Sequence, residues 1–150
     1  MDGHTPFRER AERYCALVER IAPDGLSWRE LAAALAELYA AALALEPRAP
    51  DGEELADAEP ADMRPALEAA LGGAATYWTV FDPAANEEPG APSLADDLAD
   101  VYHDVKRGLM VLDAGDPAEA VWEWHHSFWS HWGRHAVEAL RALHALERVR

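Results

Sequence analysis

The sequence contains a single cysteine, Cys15, among 150 residues. One thiol can form neither an intrachain disulfide nor a zinc site built from several cysteines. Cys15 lies beside Tyr14 in a helical pattern, without a neighbouring basic helix terminus, so we expect it to pack in the core. Because disulfides are typical of oxidising compartments, a chain with one cysteine favours the cytoplasm.

Basic residues are also scarce. Lysine and arginine together number 13 against 28 aspartates and glutamates, which gives a formal net charge of −15. A surface of this charge repels nucleic acid and anionic membranes over long distances, so we expect neither as a partner. An acidic surface instead favours a basic protein partner or cations.

Long hydrophobic runs and catalytic signatures are missing as well. The apolar stretch from Leu31 to Leu45 is interrupted by Glu37 and is too short to span a bilayer. Residues 1–10 carry charges and lack the apolar segment of a signal peptide. No glycine-rich phosphate loop or nucleophile elbow occurs. We therefore expect no secretion, no membrane insertion and no bound cofactor.

Tryptophan, by contrast, is abundant and concentrated. Four of the six tryptophans fall within residues 122–132, inside a helical pattern that runs from Asp116 to Arg150. A helix that is apolar over more than half its circumference either lies at the centre of its domain or presents its surplus face to a partner. The predicted inward positions are Val121, Trp124, His125, Phe128, Trp132, Ala136, Ala139, Leu143 and Leu146. Trp122, Trp129 and Leu140 widen this apolar face.

Four shorter helices are predicted ahead of this one, at about 6–22, 28–45, 62–71 and 93–112. Serine or aspartate stands at three of the starts, as Ser27, Asp62 and Ser93, where a side-chain oxygen can accept a bond from the first turn. Leu26 and Leu31 form a hydrophobic staple around the second start. Gly108 and Gly133 lie beside core stripes and permit close approach, or Gly133 marks a kink.

The segments between the helices are acidic and contain proline. Residues of about 46–61 and 82–92 include few large apolar side chains and are predicted to be mobile loops. Residues 74–81 are ambiguous between a helical turn and an extended segment, and we favour the helical turn. The sequence thus predicts a single all-α domain, 1–150, a bundle of four to five helices with a long aromatic-rich C-terminal helix.

Candidate chemistry lies in the last two helices. His131 and His135 are one turn apart, which is the spacing of two imidazoles that share a zinc or iron ion. Asp97 or Asp104 could complete the ligands, whereas Asp100 is predicted to point away from the core. The more common role for such histidines is a hydrogen bond to an acidic neighbour at the edge of the core.

Three segments of the chain resemble a known family. They are WTVFDP at 78–83, SLADDLADVYHD at 93–104 and HWGRHAVEALRALH at 131–144. In this order they are similar to a bacterial all-helical family known as domain of unknown function 5063, over most of the chain. The resemblance implies an all-helical fold and no established reaction. It also implies that other residues can stand at the positions of His131 and His135.

These features favour a small cytoplasmic protein-interaction or regulatory module that presents an acidic, aromatic surface to another protein or to its own copy. The candidate contact residues are Trp122, Trp129, Trp78 and Phe81. The competing interpretation is that all the tryptophans fill one core. The alternative function is a metal-dependent hydrolase or phosphotransfer enzyme between the last two helices. Its residues would be Asp97, Asp104, His131 and His135.

Overall fold

The structure, a computed structural model, describes residues 3–21, 27–46, 49 and 57–148. Its helices are α1 (Thr5–Glu19), α2 (Trp28–Leu43), α3 (Arg64–Leu71), α4 (Leu94–Asp113), α5 (Pro117–Ser127) and α6 (Gly133–Arg148). A π-helical turn, Phe128–Trp132, joins α5 to α6 without a break, so these three form one long C-terminal helix. The predicted all-α class is confirmed, and no strand forms within the described ranges.

The helix starts follow the chemistry of their first residues. Ser27, Ser93 and Asp116 each accept a hydrogen bond from the backbone N–H three residues later, at 3.2, 3.2 and 3.1 Å. These bonds satisfy amides that have no partner within the helix. Asp62 accepts from the amide of Arg64 at 3.1 Å, one residue ahead of the position that caps α3. Leu26 of the predicted staple lies outside the described residues.

The core is built around α4, which packs against α1, α3, α5 and α6. Trp28, Trp124 and Trp132 are buried in it, together with Phe128. Cys15 is also buried, and burial raises the pKa of its thiol, as expected for a packing residue. Among the described residues, no helix is both long enough and apolar enough to cross a bilayer.

Trp124 locks the C-terminal helix onto α4. Its indole Nε1 donates to the carbonyl oxygen of Val105 at 3.0 Å. The ring lies over Gly108, where an added Cβ would come within 2.0 Å of Nε1. Gly108 therefore permits the close approach that the sequence predicted, because any larger residue would occupy the space of the indole.

The π-helical turn keeps a four-residue repeat on one face. In an α-helix, four residues overshoot a full turn by roughly 40°, so such a repeat drifts around the helix. The wider turn reduces this drift. At its end the Gly133 N–H donates to the Phe128 carbonyl, five residues earlier, and an added Cβ at Gly133 would lie 2.4 Å from that oxygen. The buried repeat is Ala120, Trp124, Phe128, Trp132 and Ala136.

Residues 76–80 are extended, so the favoured helical turn was wrong for this segment. Two isolated antiparallel bridges tie it to the residues that precede α4, Thr76 to Ser93 and Thr79 to Gly90. The Thr79 N–H donates to the Gly90 carbonyl at 2.9 Å, and the Thr79 carbonyl accepts from the Gly90 N–H at 2.8 Å. The segment TYWTV is β-branched and aromatic, a composition that favours extended backbone, and this signal was missed.

The two predicted loops contain no helix in their described parts. In the first, Ala58 is buried and its carbonyl accepts a hydrogen bond from the Arg107 guanidinium on α4. The second loop contains turns at residues 83–84 and runs back to the bridge at Gly90. Their mobility stays a prediction.

Gly108→Ala is expected to lower the free energy of unfolding by about 1–3 kcal/mol, because the new methyl group would overlap a buried, hydrogen-bonded indole. Urea unfolding followed by circular dichroism measures this change. Gly73→Ala is the matched control, since nothing lies within 4 Å of an added Cβ there. An equal loss of stability in the two variants would contradict the steric explanation.

Candidate functional site

Several of the predicted contact aromatics are exposed. Trp78 is 73% exposed, Trp129 is 66% exposed and Phe81 is 49% exposed. Trp122 is partly buried, and its ring stacks on His126 with the two planes 4° apart. The interpretation that all the tryptophans fill one core is therefore wrong.

Trp78 projects from a backbone that is held on both sides. The amide of Tyr77 donates to the Pro92 carbonyl at 3.2 Å, and Thr79 exchanges two bonds with Gly90. Since successive side chains of an extended segment point in opposite directions, the inward neighbours direct the indole of Trp78 outward. The backbone that carries the exposed ring is thus held in place.

The two inward neighbours are anchored by their hydroxyl groups. Tyr77 donates to the carboxylate of Asp97, and burial together with this bond raises the pKa of the phenol. Thr79 is buried, donates to Glu138 at 2.9 Å and accepts from Arg141 at 3.1 Å. The extended segment is therefore tied to both α4 and α6.

Exposed acidic residues follow this aromatic segment in the chain. Phe81 lies with its ring against Gly90, within 2.8 Å of the place a Cβ would occupy. The loop that begins beside it exposes the carboxylates of Asp82, Glu87 and Glu88. We call Trp78, Phe81 and these three residues the aromatic–acidic surface. Trp129 lies on a different element, the π-helical turn, where it packs edge-on against Phe128.

Asp97 and Asp104 on α4 face His135 and His131 on the C-terminal helix. Asp97 Oδ1 lies 2.7 Å from His135 Nδ1, and Asp104 Oδ2 lies 2.6 Å from His131 Nδ1. The two imidazole rings are 4.7 Å apart at an angle of 72°. All four residues of the alternative site are thus brought together, and both histidines bond acidic neighbours as their common role predicts.

Asp100 also belongs to this group, which corrects the prediction that it points away. Its Oδ2 lies 3.5 Å from His135 Nε2. Positions 97, 100 and 104 share one face of α4, because residues three and four apart lie above one another on a helix. We call Asp97, Asp100, Asp104, His131 and His135 the Asp–His cluster. Helix α4 packs against four other helices, and one of them, α6, covers part of the α4 surface that would be exposed on an isolated helix.

The cluster has a buried side and an open side. The Asp97 side chain is 5% exposed, whereas that of Asp100 is 33% exposed and that of His131 is 44% exposed. The hydrogen bond and charge of Asp97 raise the pKa of His135, against the opposing effect of burial. Buried Asp97 therefore favours the protonated form of His135.

Three further residues extend the cluster. His103 Nδ1 lies 3.3 Å from Asp104 Oδ1, and its Nε2 lies 3.2 Å from Glu59. Tyr77 reaches Asp97 from the extended segment. The contacts of Glu59 and Tyr77 were not predicted. Both residues lie in segments without a periodic pattern, so the sequence does not show where these segments cross α4.

Comparison with known proteins supports this architecture. A family model described as Domain of unknown function (DUF5063) matches residues 4–148. The crystal structure of protein BF1032 from Bacteroides fragilis is similar with a TM-score of 0.78 and 22% sequence identity, over 97% of this chain and 92% of that chain. At this identity the likeness shows a shared fold. None of the curated proteins matches the chain.

Asp97→Asn is expected to lower the pKa of His135, because the substitution removes the carboxylate whose bond and charge raise it. Nuclear magnetic resonance titration of the His135 ring protons, in the presence of a chelator, measures the shift. Glu59→Gln is the control, since Glu59 contacts His103 and not His135. Identical His135 titrations in the wild type and Asp97→Asn would contradict the assignment.

The sign of the accompanying stability change follows from linkage. A pKa raised above the unfolded value of about 6.5 stabilises the fold below that pH, and the contribution is lost as the pH rises through the raised pKa. The free energy of unfolding should therefore fall more in the wild type than in Asp97→Asn between about pH 6 and about pH 8. Urea unfolding at the two pH values tests this.

Proposed function

The chain belongs to the family described as Domain of unknown function (DUF5063). Because this description names no activity, we propose a function from the surface of the chain itself. It is a cytoplasmic protein-interaction module that binds a basic protein through the aromatic–acidic surface. The observation that carries this proposal is the 73% exposure of Trp78 on a backbone held by its neighbours. The single cysteine is compatible with a reducing compartment.

The physical chemistry of interfaces supports Trp78 as the anchor. Tryptophan is among the residues that contribute most to protein–protein binding, because it buries a large ring when a partner covers it. Because the backbone that carries the ring is already held, binding does not have to order that backbone, which limits the conformational entropy lost. Phe81, three residues later and 49% exposed, adds further apolar area at the same segment.

Charge selects the class of partner. Asp82, Glu87 and Glu88 expose their carboxylates beside the aromatic residues. The chain as a whole has a formal net charge of −15, so two copies repel each other whereas a basic protein is attracted. A basic protein is therefore favoured over a second copy of the chain.

Trp129 and Trp122 differ in how much of the indole is exposed to a partner. Trp129 is 66% exposed on the π-helical turn and is proposed as a second contact position. Trp122 is partly covered by the stacked ring of His126 and contributes less area. The alternative, a metal-dependent hydrolase or phosphotransfer enzyme, stays a prediction, because the cluster identifies no substrate.

Trp78→Ala is expected to abolish recovery of a basic partner and to weaken binding of the purified partner by about tenfold or more, since truncated anchors commonly cost more than 1.4 kcal/mol. Quantitative mass spectrometry of pull-downs identifies proteins retained by the wild type and lost with Trp78→Ala and Phe81→Ala. Calorimetry at two salt concentrations then measures the affinity. Higher salt should weaken it, because charge attracts the partner.

Leu43→Ala is the matched control, because Leu43 is an exposed apolar residue, 54% exposed, at the end of α2. It should leave recovery and affinity unchanged. Equal recovery by Trp78→Ala and Leu43→Ala would contradict the proposed surface. Light scattering across protein concentrations tests whether the partner is a second copy of the chain. If the wild type forms a dimer and Trp78→Ala dissociates it, the second copy is the partner in place of a basic protein. Trp129→Ala shows whether both indoles serve one partner.

A further inference from the structure

We propose that Asp100, His131 and His135 bind a divalent transition-metal ion, and that Asp97 and Asp104 orient the two imidazoles toward it. Each of the first three residues can offer one ligand atom, and these atoms lie within 4.8 Å of one another. The site shares no residue with the aromatic–acidic surface, because its ligands lie on α4 and the C-terminal helix. It adds ion binding to the proposed interaction function.

The distances suit a shared ion. Two ligand atoms at 2.0–2.1 Å from a tetrahedral zinc ion are roughly 3.3 Å apart. His135 Nε2 and Asp100 Oδ2 are already 3.5 Å apart, which is long for a hydrogen bond and close to the spacing around a metal. The His131 ring, 4.7 Å from that of His135, supplies the third atom after a small side-chain movement.

The hydrogen bonds orient the imidazoles for this role. Ionised carboxylates only accept hydrogen bonds, so the Nδ1–H of each histidine is the donor. His135 donates to Asp97 at 2.7 Å, and His131 donates to Asp104 at 2.6 Å. In the neutral form of each ring, Nε2 is then left with a free lone pair. Histidines that bind metals usually have this arrangement, with the other nitrogen bonded to a carboxylate that fixes the ring.

Charge and access both suit a cation. Three carboxylates face two imidazoles, so the group is strongly negative when the rings are neutral. Arg64 and Arg134 act electrostatically on Asp100 and His135, but the Arg64 guanidinium is already bonded to Asp62 at 3.2 Å. Asp100 and His131 are partly exposed, so an ion can enter from solvent. With three protein ligands, a position remains for water.

The ligand types select the class of ion. Two imidazole nitrogens and one carboxylate oxygen suit Zn²⁺ or Fe²⁺, whereas Mg²⁺ and Ca²⁺ prefer oxygen ligands throughout. Asp100 replaces Asp97 and Asp104 as the carboxylate ligand, because each of those two already accepts from an imidazole Nδ1. The family resemblance implies that other residues can stand at the two histidine positions, so the proposal concerns this chain.

The test is calorimetry of the full chain after chelator treatment, with Zn²⁺, Fe²⁺ under anaerobic conditions, and Mg²⁺ as separate titrants. We expect one Zn²⁺ or Fe²⁺ per chain, weaker Mg²⁺ binding, and a higher melting temperature with the ion bound. Asp100→Asn should abolish this binding. Asp104→Asn should weaken it by about 10–100-fold, as expected when a group that orients a ligand is lost.

His144→Gln is the matched control, because His144 is an exposed imidazole on α6 outside the cluster. It should bind the ion as the wild type does. His135→Gln should also abolish binding; if that variant does not fold, Asp100→Asn still tests the proposal, because Asp100 is partly exposed. Absence of binding, binding unchanged in Asp100→Asn, or equal loss in His144→Gln would each overturn the proposal. Mg²⁺ affinity equal to that of Zn²⁺ would overturn the transition-metal class.

Discussion

The packing of the C-terminal helix on α4 is the contact on which both surfaces depend. The indole of Trp124 fills the space above Gly108 and donates to the Val105 carbonyl. These two contacts set the register in which the C-terminal helix packs on α4. Close packing makes other registers costly, because a shifted indole would lose its bond and overlap side chains. This register sets His131 and His135 opposite the aspartates of α4.

Buried Asp97 links the Asp–His cluster to the extended segment. A carboxylate removed from water is costly unless hydrogen bonds replace the lost hydration. Asp97 receives one from Tyr77 and one from His135. Tyr77 is also the neighbour of Trp78, so the residue that satisfies the buried charge holds the backbone from which the exposed indole projects. The two surfaces therefore share a structural support while differing in chemistry.

Local signals in the sequence predicted much of the fold. Ser27, Ser93 and Asp116 begin helices because their side chains bond the first-turn amides, and this needs no distant contact. Trp124, Phe128 and Trp132 were predicted inward from periodicity and are buried. The composition of residues 76–80 favours extended backbone, but their pairing partners, residues 90–93, lie beyond an irregular loop and could not be identified from the sequence. Local patterns carry little information about such pairing.

The sequence by itself determined the helical class, the starts of three helices, the acidic balance and the residues from which a site could form. The tertiary structure alone decided that Asp100 faces His135, that Asp97 is buried, and that Trp78 rather than Trp122 is the more exposed indole. The reason is physical. A helical pattern specifies the angle of a side chain around its own axis. Which angles are covered depends on the other helices, and α4 meets four of them.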